Sequence, residues 1–275
     1  MTESSPGTIP GVEAPDMGLG GTPSLAFQPA VDLTAGRLLG FEALLRFHDA
    51  SGASIPPDAL IPWAEAEGHM NELNAWVLSE ACLQAVRWPS DLQLAVNCSV
   101  FQLRGGTAAV AAATALERSG LNPDRLTVEV TEVSVSDDDA AADLRVMTRL
   151  GIQLTMDDVG SDYSVLDHLR KAVVNTVKID AGLIAGLTEP GGPSRAVVAS
   201  IVKLSQSLGL CTVAEAVETG EQVAILRELG AETAQGYFFS LPLTSQEACD
   251  LANLEPHPCF ALSLPPLPST RTPEP

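Results

Sequence analysis

The sequence predicts an α/β fold, a (β/α)₈ barrel that begins with an antiparallel hairpin. Residues 25–254 form the predicted folded unit, and their number is close to the roughly 250 residues of such barrels. Within this unit, short apolar runs alternate with helical stretches, which is typical of a parallel sheet with helical crossovers. The first two runs are joined by a short turn at residues 32–36, which predicts a hairpin. Chain length alone would also allow two small domains.

Eight runs rich in aliphatic and β-branched residues predict the strands. They are Leu25–Val31, Arg37–Leu44, Leu92–Asn97, Leu126–Val130, Ile152–Met156, Thr176–Ile179, Leu210–Ala214 and Thr233–Phe238. Several of these runs, such as residues 92–96, are too apolar for a sheet with one face in water. A sheet covered on both faces is therefore expected.

Eight stretches with helical periodicity predict the helices. They are Pro57–Glu67, Asn71–Val86, Thr107–Ser119, Asp137–Leu150, Tyr163–Leu169, Arg195–Leu208, Gly220–Leu229 and Ser245–Asn253. Outside the folded unit, residues 1–24 and 255–275 together hold 11 of the 20 prolines. We interpret the first segment as a disordered N-terminal leader and the second as a Pro-rich disordered tail.

The composition limits which kinds of molecule the protein can bind. A formal net charge of −20 excludes a protein that coats long DNA or RNA, because the phosphate backbone requires a basic surface. A small anionic ligand remains compatible if metal ions bridge the like charges. The five cysteines are odd in number and form no CxxC pair, which favours reduced thiols. Neither a signal peptide nor an apolar run of about 20 residues is present, so a cytoplasmic protein without a membrane contact is expected.

Polar side chains recur at the ends of the predicted strands. They are Glu42, Asn97, Glu129, Glu132, Asp157, Asp158, Lys178, Glu215 and Gln235. The carboxyl ends of barrel strands converge on one face, so these groups should crowd one mouth. An unpaired buried charge costs several kcal/mol, which makes divalent cations the expected partners. Oxygen ligands favour Mg²⁺ or Mn²⁺ over zinc, and the adjacent pair Asp157 and Asp158 can touch two ions, as in phosphodiester hydrolysis.

Each of these residues has an ordinary alternative when it is taken singly. A glutamate in a strand is usually a salt-bridge partner, and Asp158 could cap a helix. Lys178 could be a lysine whose charged end reaches the surface. The metal-site interpretation depends on their joint occurrence, because independent surface residues would not all fall at strand ends.

The same residues lie within a series of short segments in a fixed order. They are Phe27-Gln28-Pro29, residues 40–46 (Gly-Phe-Glu-Ala-Leu-Leu-Arg), residues 61–65, Val96-Asn97-Cys98-Ser99, residues 129–132, Asp157-Asp158, Lys178-Ile179-Asp180, residues 214–218 and Gln235-Gly236-Tyr237. Glu-Ala-Leu alone is a weak signal, but the ordered set resembles the EAL-domain family of cyclic di-GMP phosphodiesterases from about residue 27 to residue 243.

The resemblance implies a TIM-like (β/α)₈ barrel whose first strand is antiparallel to its neighbour. It implies hydrolysis of cyclic di-GMP to the linear dinucleotide pGpG at a two-metal site holding Mg²⁺ or Mn²⁺. Glu42, Asn97, Glu129 and Asp157 would hold one ion, while Asp157, Asp158 and Glu215 would hold or approach the second.

The resemblance also assigns the other residues. Lys178, Glu215 and Asp158 would be catalytic, with Lys178 at the attacking water or the phosphate. The substrate would be contacted by Gln28, Leu44, Arg46, Asp180, Glu218, Gln235 and Pro242. Glu132 would tether the loop that follows Asp158, and the chain would form a homodimer. The role assigned to Arg46 also has a physical basis, since a guanidinium can form paired hydrogen bonds with a phosphodiester.

The loop after Asp157 departs from the family pattern. Val159 stands where an aromatic residue is usual, Asp162 where glycine is usual, and Val165 where a hydroxyl is usual. Ala216 and Leu241 also replace a glycine and an arginine, yet no predicted metal ligand is lost. Three functions follow: an active phosphodiesterase, a sensor that binds cyclic di-GMP with little or no turnover, and an interaction scaffold or another metal-dependent phosphoesterase.

Overall fold

The computed structural model describes residues 13–16, 18–104, 106–131, 137–160, 174–254 and 260. The strands are β1 (Thr22–Asp32), β2 (Leu38–His48), β3 (Ser54–Ile55), β4 (Gln93–Asn97), β5 (Leu126–Thr131), β6 (Gln153–Val159), β7 (Thr176–Ile179), β8 (Cys211–Ala214), β9 (Thr233–Gln235) and β10 (Leu243–Thr244). The helices are α1 (Pro57–Glu67), α2 (Met70–Ala85), α3 (Val100–Leu103), α4 (Thr107–Ser119), α5 (Asp138–Arg149), α6 (Ala181–Ala185), α7 (Ser194–Leu208), α8 (Gly220–Leu229) and α9 (Ser245–Ala252).

Eight of the strands close into a barrel in the order β1-β2-β4-β5-β6-β7-β8-β9, with β9 pairing back onto β1. β1 runs antiparallel to both of its barrel neighbours, and every other neighbouring pair in the barrel is parallel. The short strands β3 and β10 add to β2 and β1. The predicted barrel with an antiparallel first strand is therefore confirmed.

The predicted elements agree with the structure except at some ends. Helices α1, α4 and α8 have the predicted bounds, and the predicted helix Tyr163–Leu169 lies outside the described residues. β3, β10, α3 and α6 were not predicted, because segments of two to five residues are too short for their periodicity to be recognised.

Several strand boundaries required correction. β2 continues to His48 and β6 to Val159, past the predicted ends at Leu44 and Met156. β1 begins at Thr22, so residues 22–24 of the predicted leader pair with residues 46–48 of β2. The predicted strand Thr233–Phe238 ends at Gln235, because the next residue, Gly236, has φ +150° and its backbone meets that of Val217. A side chain at Gly236 would overlap the Val217 backbone, since a Cβ there would lie 2.2 Å from the Val217 nitrogen.

The tails contribute at least one contact to the barrel. Phe260, which lies in the predicted C-terminal tail, donates its backbone N–H to the carbonyl of Gly36 at 2.9 Å. Its ring packs edge-on against Phe239, with 6.2 Å between ring centroids. Residues 1–12 and 261–275 lie outside the described residues, and disorder there stays a prediction.

Polar residues fix where several helices begin. Thr219 accepts a hydrogen bond from the Gln222 N–H at the start of α8, while the Gln222 side chain accepts from the Thr219 N–H. Thr244 and Glu247 form the same capping box at α9. Such boxes satisfy two of the unpaired N–H groups that every helix start exposes, so the sequence defines these ends locally.

The core is one continuous apolar cluster around the barrel. At its base, the Trp88 ring lies 5.5 Å from the Phe27 ring and 4.7 Å from the Phe41 ring. These contacts fix the hairpin of β1 and β2 against the chain that leads into β4.

No helix in the described ranges combines the length and apolarity needed to cross a lipid bilayer.

Glu80 on α2 is a buried carboxylate remote from the strand-end residues. It is 7% exposed and accepts a hydrogen bond from the Gln84 side chain at 2.9 Å. Burial raises the pKa of Glu80 above its ordinary value, and the Gln84 bond offsets this only in part. The folded state therefore binds this proton more tightly than the unfolded state, so stability decreases as pH rises from the unfolded-state pKa to the raised folded-state pKa.

We expect Glu80→Gln to raise the melting temperature by about 1–2 °C at pH 8, because it removes the buried charge and keeps a hydrogen-bonding group. The difference should vanish near pH 4, where the wild-type carboxyl is protonated as well. Thermal unfolding from pH 4 to pH 8 would measure it, with Glu117→Gln on the exposed face of α4 as the matched control. A difference that grows toward low pH would contradict the assignment.

Candidate active site

Four carboxylates from four parts of the barrel surround one buried lysine. The Lys178 Nζ lies 2.6 Å from Glu215 Oε1 and 2.8 Å from Glu129 Oε2. It lies 3.2 Å from Glu42 Oε2 and 3.7 Å from Asp157 Oδ1. Lys178 is only 1% exposed, so the predicted surface alternative for this residue is wrong. We call Glu42, Glu129, Asp157, Asp158 and Glu215 the acidic cluster.

Two amides hold the carboxylate of Glu42 in place. Asn97 donates from Nδ2 to Glu42 Oε1 at 2.6 Å. Gln235 donates from Nε2 to Glu42 Oε2 at 2.6 Å and also reaches Glu215 Oε1 at 3.2 Å. Glu42 and Glu215 are thus fixed relative to each other by a neutral donor from β9, which couples the two sides of the acidic cluster.

A bulge in β6 brings two consecutive carboxylates to the acidic cluster. Met156 pairs with Val177 and Val159 pairs with Ile179, so Asp157 and Asp158 together oppose the single residue Lys178. In a regular strand, successive side chains point to opposite faces. The bulge removes that constraint, and Asp158 adopts φ 59°, which is uncommon for a residue other than glycine.

Three members of the acidic cluster meet the spacing of a metal site. Asp157, Asp158 and Glu215 each offer an oxygen, and these oxygens all lie within 4.8 Å of one another. Opposite ligands of one Mg²⁺ are about 4.2 Å apart, since each Mg–O bond is about 2.1 Å. Small side-chain movements would therefore let this trio hold one divalent ion. Glu42 and Glu129, predicted for the other ion, both contact Lys178.

Burial and like charge control protonation in the acidic cluster. Burial raises the pKa of Glu215 to about 7, although Lys178 acts against this rise. Burial, followed by the charge of Glu42, raises the pKa of Glu129 well above its ordinary value. Burial would also raise the pKa of Glu42, but Lys178 and the two amides hold that pKa below its ordinary value. The metal-free cluster therefore retains some of its protons near neutral pH.

Burial and neighbouring charge also have opposing effects on the pKa of Lys178. Burial alone would lower the pKa of Lys178, but the nearby carboxylates, Glu129 first, raise that pKa well above its ordinary value. The ammonium therefore stays charged. It partly neutralises an acidic cluster whose own carboxylates outnumber it.

Two cavities lie on either side of the acidic cluster and share one wall. The helix-side cavity has a volume of about 420 Å³ and includes Asn74, Gln102 and Asp158 in its lining. The loop-side cavity has a volume of about 360 Å³ and includes Glu218 and Tyr237. Leu44 and Arg46 of β2 line both cavities, because alternate residues of a strand face the same side. The site is therefore a two-part cleft with carboxylates at its centre.

The remaining predicted residues fall into three groups. Gln28, Glu218, Gln235 and Pro242 line the loop-side cavity together with Arg46, and the Gln28 side chain donates to the carbonyl of Ser240 at 2.8 Å. Asp180 lines neither cavity, and its carboxylate instead accepts from the N–H groups of Gly182 and Leu183 at the start of α6. Glu132 and loop residues 161–165 lie outside the described residues.

The loop that carries Glu215 and Glu218 is held by backbone bonds. The Val217 N–H donates to the Gln235 carbonyl at 3.0 Å, and the Phe238 N–H donates to the Val217 carbonyl at 2.9 Å. Between them, Ala216 adopts φ 49°, a left-handed conformation that costs an L-residue roughly 1–2 kcal/mol. Glycine adopts this conformation without strain, but the residue at this position is alanine.

We expect Ala216→Gly to raise the free energy of unfolding by about 0.5–1 kcal/mol, because the relief of strain exceeds the extra entropy of glycine in the unfolded chain. Chemical denaturation would measure the change. The control is Ala59→Gly on the exposed face of α1, which should lower stability by about 1 kcal/mol. Equal destabilisation by both changes would show that Ala216 carries no strain.

Comparison with known proteins agrees with this geometry. The family model of the EAL domain matches residues 19–242. The chain belongs to the EAL domain family. Among curated relatives, the bifunctional diguanylate cyclase/cyclic di-GMP phosphodiesterase MucR of Pseudomonas aeruginosa is 35% identical over 230 residues, which cover 81% of this chain and 33% of MucR. The chain spans about a third of the length of such relatives, or less.

Solved EAL structures carry the same fold. The MucR phosphodiesterase in complex with cyclic di-GMP superposes with a TM-score of 0.75 at 34% identity, covering 82% of this chain and 93% of that one. BlrP1 of Klebsiella pneumoniae, with manganese and cyclic di-GMP, has a TM-score of 0.71 at 31% identity, covering 81% of this chain and 56% of that one.

Sequence analysis missed part of the EAL cleft. Tyr237, which is 61% exposed, lines the loop-side cavity, while Asn74 of α2 and Gln102 of α3 line the helix-side cavity. Gln102 could have been noticed, because Ser99 and Gln102 have the spacing of a capping box, and the Gln102 side chain accepts from the Ser99 N–H at 2.7 Å. Asn74 carries no such signal, since nothing in a helix sequence indicates which cavity one polar side chain faces.

Proposed function

We propose that this EAL domain is a metal-dependent phosphodiesterase that hydrolyses cyclic di-GMP to the linear dinucleotide pGpG. The observation that carries the proposal is the acidic cluster around Lys178, located between two cavities that share the Arg46 wall. A cyclic dinucleotide has two bases flanking a phosphodiester ring, and a two-part cleft with a cationic wall complements that shape and charge.

Metal binding is part of the proposal. Asp157, Asp158 and Glu215 have the spacing of one ion site, and Glu42, Asn97 and Glu129 supply the oxygen ligands that Mg²⁺ and Mn²⁺ prefer. When bound, such ions supply Lewis acidity, which activates water and neutralises phosphate charge. This requirement also explains how a chain with a net charge of −20 accepts a dianionic ligand.

Three residues of the chain then have separate roles in the reaction. Arg46 binds a phosphate oxygen through its planar guanidinium, whose geometry matches a phosphate. Lys178 donates to the attacking water or to the phosphate, and Glu215 accepts a proton from that water. The water oxygen bonds to phosphorus, and the bond from phosphorus to a ribose 3′ oxygen breaks in line. That oxygen takes up a proton from solvent, and Glu215 returns the proton it accepted to solvent.

The test is incubation of the purified chain with cyclic di-GMP and Mg²⁺ or Mn²⁺, followed by chromatographic separation of the nucleotides. Formation of pGpG that stops when a chelator removes the metal supports the proposal. Binding of cyclic di-GMP without turnover would instead identify a sensor, which is the function that the altered loop after Asp158 would suit. Neither binding nor turnover would contradict both functions.

A further inference from the structure

We infer that Lys178 is a built-in counter-cation, which takes the place of a divalent ion in the metal-free protein and competes with that ion for the acidic cluster. The inference rests on the proposed function, because it assumes that the acidic cluster is the metal site. It adds a second role to a residue that would otherwise act only on water or phosphate.

The contacts of the ammonium carry this inference. An ammonium has three N–H groups, and the Lys178 Nζ has three carboxylate oxygens within 3.2 Å, from Glu215, Glu129 and Glu42. The contacts with Glu42 and Glu129 are hydrogen bonds and the contact with Glu215 is an ion pair, so all three join the ammonium to residues predicted to bind metal. With 1% of its surface exposed, the ammonium has exchanged its water shell for these oxygens, as a bound metal ion does.

The position of the ammonium makes the competition direct. Lys178 Nζ lies between Glu42 and Glu129, two of the four ligands predicted for one ion, and it also contacts Asp157, the ligand predicted for both ions. A divalent ion drawn to those oxygens would meet a positive charge at short range, and at low dielectric this repulsion is strong. Lys178 must therefore give up part of its contacts for the ion to bind.

Charge balance gives the reason for such a lysine. Removing the Lys178 ammonium from this buried group of carboxylates leaves charge that it no longer compensates, which is strongly destabilising. Among the described residues, Lys178 is the only Lys or Arg that forms ion pairs with the acidic cluster. The barrel can then fold before metal is bound, at the cost of weaker metal binding.

The experiment compares Lys178→Met with Lys203→Met, a matched control on the exposed face of α7 that changes the net charge equally. Chelator-treated proteins are titrated with Mn²⁺, and free Mn²⁺ is read by electron paramagnetic resonance. We expect Lys178→Met to bind Mn²⁺ at least about tenfold more tightly than wild type, because a competing cation is gone. An affinity that is unchanged or weaker would overturn the inference, since Lys178 would then not compete.

Thermal unfolding without metal gives a second readout. We expect Lys178→Met to melt about 10 °C below wild type, and we expect Mn²⁺ to raise its melting temperature more than that of wild type. If the variant does not fold without metal, the double variant Lys178→Met/Glu129→Gln is tested, because it removes the ammonium together with a carboxyl group that contacts it. It should melt within a few degrees of wild type, and failure to recover would overturn the inference.

The two proposals fail in different ways. Absence of pGpG from the wild-type protein would contradict the phosphodiesterase function and leave the Mn²⁺ titrations unaffected. Equal Mn²⁺ affinity in wild type and Lys178→Met would contradict the counter-cation role even if wild type hydrolyses cyclic di-GMP.

Discussion

Replacing Glu42 by glutamine is expected to lower the rate of cyclic di-GMP hydrolysis by about a thousandfold or more. Glu42 accepts from Asn97 on one oxygen and from Gln235 and Lys178 on the other. The glutamine amide would turn an N–H₂ toward one of these donors and would remove a charged ligand oxygen. Both effects would remove electrostatic stabilisation at the site proposed for the phosphate.

The measurement is the initial rate of pGpG formation at saturating Mn²⁺. Glu117→Gln on the exposed face of α4 is the matched control, and it should hydrolyse cyclic di-GMP at the wild-type rate. Thermal unfolding of Glu42→Gln must accompany the assay, so that loss of activity is not confused with loss of the fold. If the folded Glu42→Gln protein kept more than about a tenth of wild-type activity, Glu42 would not be a metal ligand.

Replacing Arg46 by methionine is expected to weaken binding of cyclic di-GMP by about 10- to 100-fold, because a hydrogen bond to a charged group is worth about 1.5–3 kcal/mol. Arg46 lines both cavities, and in the ligand-free chain its Nη1 donates to the carbonyl of Leu45 at 2.9 Å. Methionine keeps much of the apolar stem and removes the charge. Affinity should be measured by calorimetry in the Glu42→Gln background, where turnover is suppressed.

Two variants separate charge from geometry at this position. Arg46→Lys should recover only part of the affinity, because lysine keeps the charge and loses the planar fork that matches a phosphate. Arg149→Met, on the exposed surface of α5, should bind as wild type does. If Arg46→Met and Arg149→Met had equal affinities, Arg46 would not contact the ligand.

The residues at the strand ends show most clearly what can be predicted from the sequence. Glu42, Glu129 and Lys178 were predicted to meet because barrel strands converge at one mouth. The structure places a carboxylate oxygen of each glutamate within 3.2 Å of Lys178 Nζ. That prediction needs only the strand positions and the closure of the sheet. It does not need the side-chain conformations, which is why it succeeds without coordinates. The roles of these residues in metal binding and catalysis stay predictions.

Asp180 was predicted to contact substrate from the family resemblance and not from the strand positions, and that role stays a prediction. It follows β7 directly, and in the structure its carboxylate caps α6, a five-residue helix that the sequence did not indicate. An aspartate after a strand satisfies either role equally well. The choice depends on whether the chain turns into a helix at that point.

The sequence by itself determined the barrel, its antiparallel first strand and the gathering of carboxylates, because these follow from periodicity, from a short turn and from strand order. Tertiary structure decided the rest. The β6 bulge that aligns Asp157 with Asp158 and the passage of Gly236 against Val217 depend on how neighbouring strands fit together, which local residue preferences do not encode. The burial of Lys178 among carboxylates is decided the same way, since only the closed barrel removes water from the ammonium and leaves acidic oxygens as its partners.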